Sequence, residues 1–326
     1  MNSALGVALA RQVRVRAMRY EAEGVCRVEL TPLAPDASLV PFEAGAHIDL
    51  HLPGGPVRSY SLLSGQGDVS RYVIGVHLHP ASRGGSRHVH VAMRPGDVIT
   101  IAGPRNHFKL AEDAGYSVFI AGGIGITPLL SMMRRLNELR RPWELHYAAR
   151  TRMQAGFLDD VRELAAGGEG RVTIALDGEP GGTMLDIAQV VSQAPQRAHF
   201  YCCGPMGMLE AFEAATVSVP PVQVHTEYFV PRQKSDTTGG FEVRCARSAK
   251  SVQVRPGQTV LHALLDLGVQ VPYACEEGIC GTCEVPVLEG NPDHRDSVLT
   301  QQEKDAGKTM MVCCSGAKSD VLVLDI

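Results

Sequence analysis

The stretch Cys275-Glu276-Glu277-Gly278-Ile279-Cys280-Gly281-Thr282-Cys283, answered further on by Cys313, decides how this chain is read. Its spacing, C-x4-C-x2-C with a remote fourth cysteine, is the plant-type [2Fe–2S] pattern. Each iron of such a pair takes two protein thiolates beside the bridging sulfides. The loop has to curl around the cluster and aim backbone N–H groups at its sulfurs, and Gly278 and Gly281 permit the backbone angles this needs. A structural zinc site is the alternative, but zinc favours two short-spaced cysteine pairs over three cysteines and a distant fourth. A one-electron centre near the end of a long chain implies a source of electrons in the rest of it.

The 326 residues exceed one comfortable core, so two or three domains are expected. With 44% hydrophobic and 20% charged residues, the chain has the composition of an ordinary globular protein. A net charge of −4 and the lack of any basic run argue against general nucleic-acid binding. No apolar run approaches about 18 residues, so no membrane span is expected. Met1–Ala10 is apolar but has no basic residue before Arg11, and reads poorly as a secretory signal. Of nine cysteines, Cys26, Cys202, Cys203, Cys245 and Cys314 stand outside the cluster pattern. That odd remainder points to reduced thiols in the cytoplasm, with Cys314 an inert neighbour of Cys313. The histidines show no metal-ligand spacing; His77 and His79, alternating on one strand, read as barrel lining.

Short, partly alternating runs at Gln12–Arg19, Val25–Thr31, Ala46–Leu52, Arg58–Leu63, Tyr72–Leu78 and Asp97–Ala102 predict a small antiparallel barrel. Two of its pieces look chemical. Arg58-Ser59-Tyr60-Ser61 sets a cation, a phenol and hydroxyls in a row. Arg83-Gly84-Gly85-Ser86 opens a short helix over Arg87–Met93, where N–H groups and a hydroxyl can meet phosphate. Taken singly, each also reads as a surface arginine beside a tight turn.

From Tyr116 the period changes. An apolar strand, Tyr116–Ala121, runs into Gly122-Gly123-Ile124-Gly125-Ile126-Thr127-Pro128 and then a helix to Arg140, with Thr127 expected as its N-cap. Strand, glycine turn and capped helix present N–H groups and a helix dipole to a pyrophosphate. Strands at Glu144–Ala149, Arg171–Leu176 and His199–Cys203 alternate with helices at Phe157–Ala166, Met184–Val191 and Met206–Ala215, which predicts an open parallel sheet. Ligands of such sheets sit beyond the strands' carboxyl ends, where Gly122–Thr127 and Cys203-Gly204-Pro205 both fall. Cys203 reads either as a nucleophile or as a small polarizable side chain packed near a ligand. Arg150 and Arg152 follow a strand end, where an arginine can meet a 2′-phosphate.

The segment 230–240 reads as an exposed linker. Paired strands at Phe241–Ala246 and Ser251–Arg255, a helix over Val260–Leu267 and closing strands near Met310–Val312 and Val321–Asp325 frame the cluster loop as a β-grasp. The expected fold is multi-domain: an antiparallel β-barrel over 1–110, a parallel α/β nucleotide-binding domain over 111–229, a linker, and a ferredoxin module over 241–326. A nicotinamide yields two electrons together and an iron–sulfur pair takes one at a time, so a flavin between them would complete the path.

Arg58–Leu62, Gly122–Pro128 and Cys203–Pro205 resemble the ferredoxin–NADP reductase superfamily, and with the C-terminal cysteines the whole order resembles the phthalate dioxygenase reductase family. Cys275–Cys283, Gly290–Asp296 and Val312–Lys318 are similar to vanillate demethylase-type reductase components. The resemblance implies FMN, NADH, and a separate terminal oxygenase carrying a Rieske cluster as the electron acceptor. It implies Arg58, Ser59, Tyr60 and Ser61 along the flavin, and Arg83, Gly84, Gly85 and Ser86 on its phosphate. Gly122, Gly123, Gly125, Pro128, Gly204 and Pro205 would take the nicotinamide nucleotide. Thr127 would lie near the ring system, Cys203 beside the nicotinamide and Phe229 over the flavin face, with Cys275, Cys280, Cys283 and Cys313 as the iron ligands. Gly316 departs from the family pattern, where arginine is frequent. Glu276 and Glu277 could steer a basic partner or form a solvated acidic pair. A haem monooxygenase or a soluble carrier could serve as acceptor instead, and a non-catalytic redox sensor is the reading from another class.

Overall fold

Along β1 (Arg11–Ala22), Val13 and Val15 point into a core and their neighbours outward, the two-residue period of a half-buried strand. The computed structural model describes residues 10–326 apart from 56, 81 and 83, so the leading segment and Arg83 lie outside the described residues. The chain continues through β2 (Val25–Pro32), β3 (His47–His51), β4 (Val57–Ser61), β5 (Tyr72–His77), helix α1 (Gly85–Val91) and β6 (Val98–Arg105). These strands form one antiparallel sheet in the order β4-β3-β6-β1-β2-β5. A bridge from Leu62 to Ile74 joins its two edges, so the sheet closes on itself around Val28, Leu30, Ile48, Leu50 and Ile74.

The second sheet is wholly parallel. It comprises β7 (Ser117–Gly122), β8 (Trp143–Ala149), β9 (Gly170–Leu176), β10 (His199–Cys203) and β11 (Val224–Glu227) in the order β11-β10-β7-β8-β9. Its helices are α2 (Ile126–Glu138), α3 (Leu158–Ala166), α4 (Ile187–Gln193) and α5 (Met206–Ala215). Every residue of β7 is buried, as a central parallel strand covered on both faces must be. The chain winds outward from β7 through β8 and β9, then returns to its other side, so the strand order reverses between β7 and β10. Ala22, Val25, Leu63 and Val73 of the barrel share one apolar cluster with Phe119, Leu130, Trp143 and Tyr147. That shared core explains why barrel and parallel sheet form a single compact unit through Glu227.

A second unit runs from Tyr228 to Ile326. It holds β12 (Phe241–Cys245), β13 (Lys250–Val254), α6 (Val260–Asp266), β14 (Glu284–Glu289), β15 (Pro292–Asp293), α7 (Gln301–Ala306), β16 (Thr309–Met311), β17 (Gly316–Ala317) and β18 (Val321–Leu324). The sheet β13-β12-β18-β14-β16 is antiparallel except for the β12–β18 pair, and α6 packs Val260, Leu261, Ala263 and Leu264 into its core. Strands β15 and β17 pair separately.

Four expectations change. Thr127 is not the N-cap: a 3-10 turn over Gly123–Gly125 precedes α2, and Thr127 lies inside the helix with its hydroxyl donating to Ile124 O at 2.9 Å. The helix expected over Met184–Val191 starts at Ile187, because Asp186 caps it by accepting from Gln189 N. His77 and His79 are exposed instead of lining the barrel. The linker is strapped down in part: Asp236 is buried, its N–H donates to Cys314 O at 2.7 Å, and Thr237 O accepts from Gly257 N.

Candidate functional site

Three groups of side chains emerge. The first lies where the strand order reverses. A Cβ on Gly125 would sit 2.1 Å from Cys203 O, and one on Gly122 would sit 2.4 Å from Pro205 Cδ. A Cβ on Gly204 would lie 3.1 Å from Gly122 Cα. The glycines therefore let the ends of β7 and β10 approach until their backbones touch, which brings Gly122–Pro128 and Cys203–Pro205 together at one crevice. Thr127 and Pro128 are buried in the first turn of α2. Thr127 Cγ2 reaches toward Gly75 of the barrel, 2.8 Å from where a Cβ there would stand.

Cys203 is fully buried, and burial followed by the neighbouring Glu227 carboxylate pushes its thiol well above the ordinary value. A thiol held protonated in that way is a poor nucleophile, which favours the packing reading. Glu227 pairs in register with Cys203 across β10 and β11. Its Oε2 is buried without a hydrogen-bond partner, and burial pushes the carboxyl up to about 8. No sequence motif assigns Glu227 a role. The available signal was an acid closing a strand directly ahead of Tyr228 and Phe229, but its register opposite Cys203 needs the fold. Phe229 itself stands two residues beyond β11, half-buried, in the second unit. Arg150 and Arg152 are exposed past the end of β8, where Arg152 N–H donates to Glu179 Oε1 at 2.6 Å.

The second group lies on the barrel. Strand alternation sends Arg58 and Tyr60 to one face of β4 and Ser59 and Ser61 to the other. Arg58 lies along α1: a Cβ on Gly85 would stand 2.6 Å from Arg58 Cγ and 3.0 Å from its Nε. The guanidinium and the opening of α1 are thus neighbours, with Gly84 at φ 97 turning the chain into the helix. This arrangement of a cation beside glycine N–H groups suits a phosphate. Ser86 Oγ accepts from His79 N–H and lies 3.0 Å from Ser82 Oγ. Burial pushes the Tyr60 phenol up to about 12, so it stays neutral. Ser59 departs from the expected flavin wall: its hydroxyl donates to buried Asp49 at 2.6 Å, and Asp49 also receives Arg105 at 2.8 Å. Ser61 is buried opposite His47.

The third group is in the second unit. Cys275, Cys280, Cys283 and Cys313 are all buried and adjacent: Cys283 interacts with Cys313, and Cys275 with Cys280 and Cys313. Glu276, Gly278 and Gly281 take left-handed angles, φ 58, 70 and 73, which curl the loop as a cluster requires. Glu277 N–H points at Cys275 Sγ at 3.3 Å, and Thr282 Oγ1 lies 3.2 Å from Cys280 Sγ. A [2Fe–2S] cluster takes thiolates two by two, and the four buried cysteines supply that set. The donor set fits the cluster. Cys314 closes under the loop, since a Cβ on Gly278 would lie 2.4 Å from its Sγ. A Cβ on Gly316 would fall 1.7 Å from Asp236 Oδ2, so the buried aspartate occupies the room a larger residue would use. Glu276 Oε2 lies 3.2 Å from His262 Nε2 on the exposed surface.

Comparison with known proteins bears on two of these groups by family model and on the whole chain by relatives. Residues 243–318 match the 2Fe-2S iron-sulfur cluster binding domain, and residues 119–214 match the oxidoreductase NAD-binding domain. The chain is 52% identical over 314 residues to the phenoxybenzoate dioxygenase subunit beta of Ectopseudomonas oleovorans, covering 96% of this chain and 97% of that one. It is 46% identical to the tetrachlorobenzoquinone reductase of Sphingobium chlorophenolicum, covering 94% of each. The solved structure of phthalate dioxygenase reductase, described as modular for electron transfer from pyridine nucleotides to [2Fe-2S], superposes with a TM-score of 0.71 at 34% identity, covering 97% of this chain and 98% of that one.

Proposed function

The chain belongs to the phthalate dioxygenase reductase family, and we propose on that premise that it carries electrons from NADH through FMN and a [2Fe–2S] cluster to the terminal Rieske oxygenase of an aromatic dioxygenase or O-demethylase system. It is an oxidoreductase of the electron-transfer class. The observation that carries the reading is the presence, in one chain, of four adjacent buried cysteines and a nucleotide crevice at the reversal of a parallel sheet. When bound, the flavin accepts a hydride and gives up its electrons singly, which matches a two-electron donor to a one-electron cluster.

The protein's own part is binding, alignment and proton control. Arg58, with Arg83, Gly84, Gly85 and Ser86, would hold the FMN phosphate by charge and N–H groups. Tyr60 would flank the flavin from the face of β4 it shares with Arg58; Ser61, buried on the opposite face with Ser59, would meet it through its backbone, and Ser59 acts from behind β4 by fixing Asp49 and Arg105. Gly122, Gly123 and Gly125 would admit the dinucleotide to the N-terminus of α2, with Pro128, Gly204 and Pro205 shaping the crevice. Thr127 would border the ring system, Phe229 would cover the flavin face, and Cys203 would stand beside the nicotinamide as a neutral thiol. Hydride transfer needs no acid or base in this arrangement, only reacting atoms held about 3–3.5 Å apart. Cys275, Cys280, Cys283 and Cys313 would bind the irons as thiolates. Nine cysteines without a disulfide suit the reducing cytoplasm, and among the described residues no helix is long and apolar enough to cross a membrane.

The test is an anaerobic NADH titration followed by visible absorption and low-temperature EPR. Bleaching of flavin absorbance followed by a rhombic iron signal is expected; bleaching with no iron signal refutes the electron path. The quinone-reductase relative favours a second reading, in which the acceptor is a small quinone. Rapid quinone reduction after loss of the cluster would establish that route.

A further inference from the structure

The segment Pro292–Leu299 braces the cluster loop and carries charges that no step above uses. Ser297 N–H donates to Gly278 O at 2.8 Å, and Arg295 N–H donates to Ser315 Oγ at 3.2 Å, next but one to Cys313. Asp296 Cα lies 3.1 Å from where a Cβ on Gly278 would stand. The segment therefore touches both arms that supply the iron ligands. Asp296 is buried, and its Oδ1 accepts from Val298 N–H at 3.0 Å and Leu299 N–H at 2.7 Å. Its Oδ2 has no hydrogen-bond partner. His294 faces it with Nδ1 at 3.7 Å, beyond hydrogen-bond length, and has no side-chain hydrogen-bond partner of its own. The side chains are 8% and 0% exposed. A buried carboxylate oxygen without a hydrogen bond, faced at 3.7 Å by a buried imidazole nitrogen, is one short movement from a hydrogen-bonded ion pair and is more than packing requires.

We propose that His294 and Asp296 form a redox-linked proton site: entry of an electron into the cluster draws one proton from solvent onto the imidazole, which closes an ion pair with Asp296. This rests on the cluster reading above. The step balances, because the electron comes from NADH by the path proposed above and the proton leaves a solvent O–H bond to form one N–H bond on the imidazole. Reduction makes a cluster held by four thiolates more negative, and a proton taken up nearby offsets that charge in a region of low dielectric.

The surroundings suit a proton that is absent before reduction. Lys304 on α7 donates to Asp296 O at 2.6 Å and lies 3.9 Å from Oδ1, while Lys318, beyond β17, lies 4.0 Å from Asp293 Oδ1. Asp293 is also paired with Arg295 at 2.5 Å. Burial first, with the Lys304 and Lys318 charges, holds His294 below its ordinary value against the pull of Asp296 and of the Lys304 backbone carbonyl. Added negative charge on the cluster tips that balance toward the imidazolium.

The experiment is an anaerobic redox titration of the holoprotein, read by the EPR amplitude of the reduced cluster at intervals from about pH 5 to about pH 8. In wild type the reduction equilibrium becomes less favourable as pH rises, by up to about tenfold per pH unit between the imidazole pKa values of the two redox states. In His294→Asn the dependence vanishes. Asp296→Asn keeps the turn, because its amide oxygen still accepts from Val298 and Leu299, and moves the dependence to lower pH. Proton uptake on reduction in weakly buffered wild type gives a readout that needs no variant. A flat wild-type profile with no proton uptake overturns the proposal, as does an unchanged slope in His294→Asn. Absence of any iron signal in wild type would instead refute the cluster.

Discussion

Replacing Gly125 by alanine puts a methyl carbon 2.1 Å from Cys203 O, 2.5 Å from its carbonyl carbon and 2.9 Å from Gly204 N. Backbone conformation is not the obstacle, since Gly125 sits at φ −62, ψ −6, which any residue adopts. Alanine is even favoured over glycine in a helix, by up to about 1 kcal/mol. Against that gain stands an overlap with backbone atoms, which cannot swing aside as a flexible side chain can. Overpacking of this kind costs about 1–3 kcal/mol, so a net loss of about 1–2 kcal/mol is expected. The larger effect is on geometry. Relief requires β10 to retreat from β7 by about an ångström, and a misplacement of that size costs about 100-fold in a transfer that depends on alignment. Stopped-flow bleaching of flavin absorbance by NADH should slow by that order while the cluster spectrum stays intact. Gly207→Ala, in α5 with nothing within 4 Å of the added carbon, is the neutral control. A Gly125→Ala protein reduced within about twofold of the wild-type rate, with unchanged melting temperature, would refute the claim that backbone contact sets the crevice.

Three further outcomes follow from named contacts. Glu227 has a carboxyl raised by burial from 4.5 to about 8, so the folded state binds the proton more tightly than the unfolded. Its contribution is complete below the unfolded value and is lost as pH rises toward the folded one; urea titrations should show wild type weakening by a few kcal/mol from about pH 5 to about pH 8, and Glu227→Gln removing that slope. Cys280→Ser should keep NADH-to-ferricyanide activity but abolish cytochrome c reduction, and unchanged cytochrome c activity would place the electron exit elsewhere. Gly278→Ala meets Cys314 Sγ at 2.4 Å and also sits at φ 70. Cys314→Ala should therefore recover part of the lost cluster retention under urea while the backbone strain, about 1 kcal/mol, remains. No recovery in the double variant would show that Cys314 does not support the loop.

Local chemistry settled much of this protein. Cysteine spacing, the change of period at Tyr116 and the glycine turn at Gly122–Thr127 are written in neighbouring residues, and the strands of the barrel fall within a few residues of their sequence readings because alternation is a local signal. What depends on register or long-range packing was not legible. Thr127 as N-cap failed because a 3-10 turn displaced the helix start, and Asp186 shifted another because capping needs the carboxylate to reach a particular N–H. Segment 230–240 has the composition of a free linker, yet Asp236 is tied to Cys314 by a hydrogen bond that no linear pattern announces. Ser59 was read with its strand neighbours as one site, but the pleat turns it toward Asp49. Glu227 opposite Cys203, and His294 opposite Asp296, acquire meaning only when folding removes water from around them and leaves a charge with nowhere to go. By itself the sequence determined the [2Fe–2S] pattern, since ligand type and spacing are covalent facts, while FMN and NADH entered through family resemblance. Only the tertiary structure decided which buried acids and imidazoles govern protons there, because burial and distance belong to the fold.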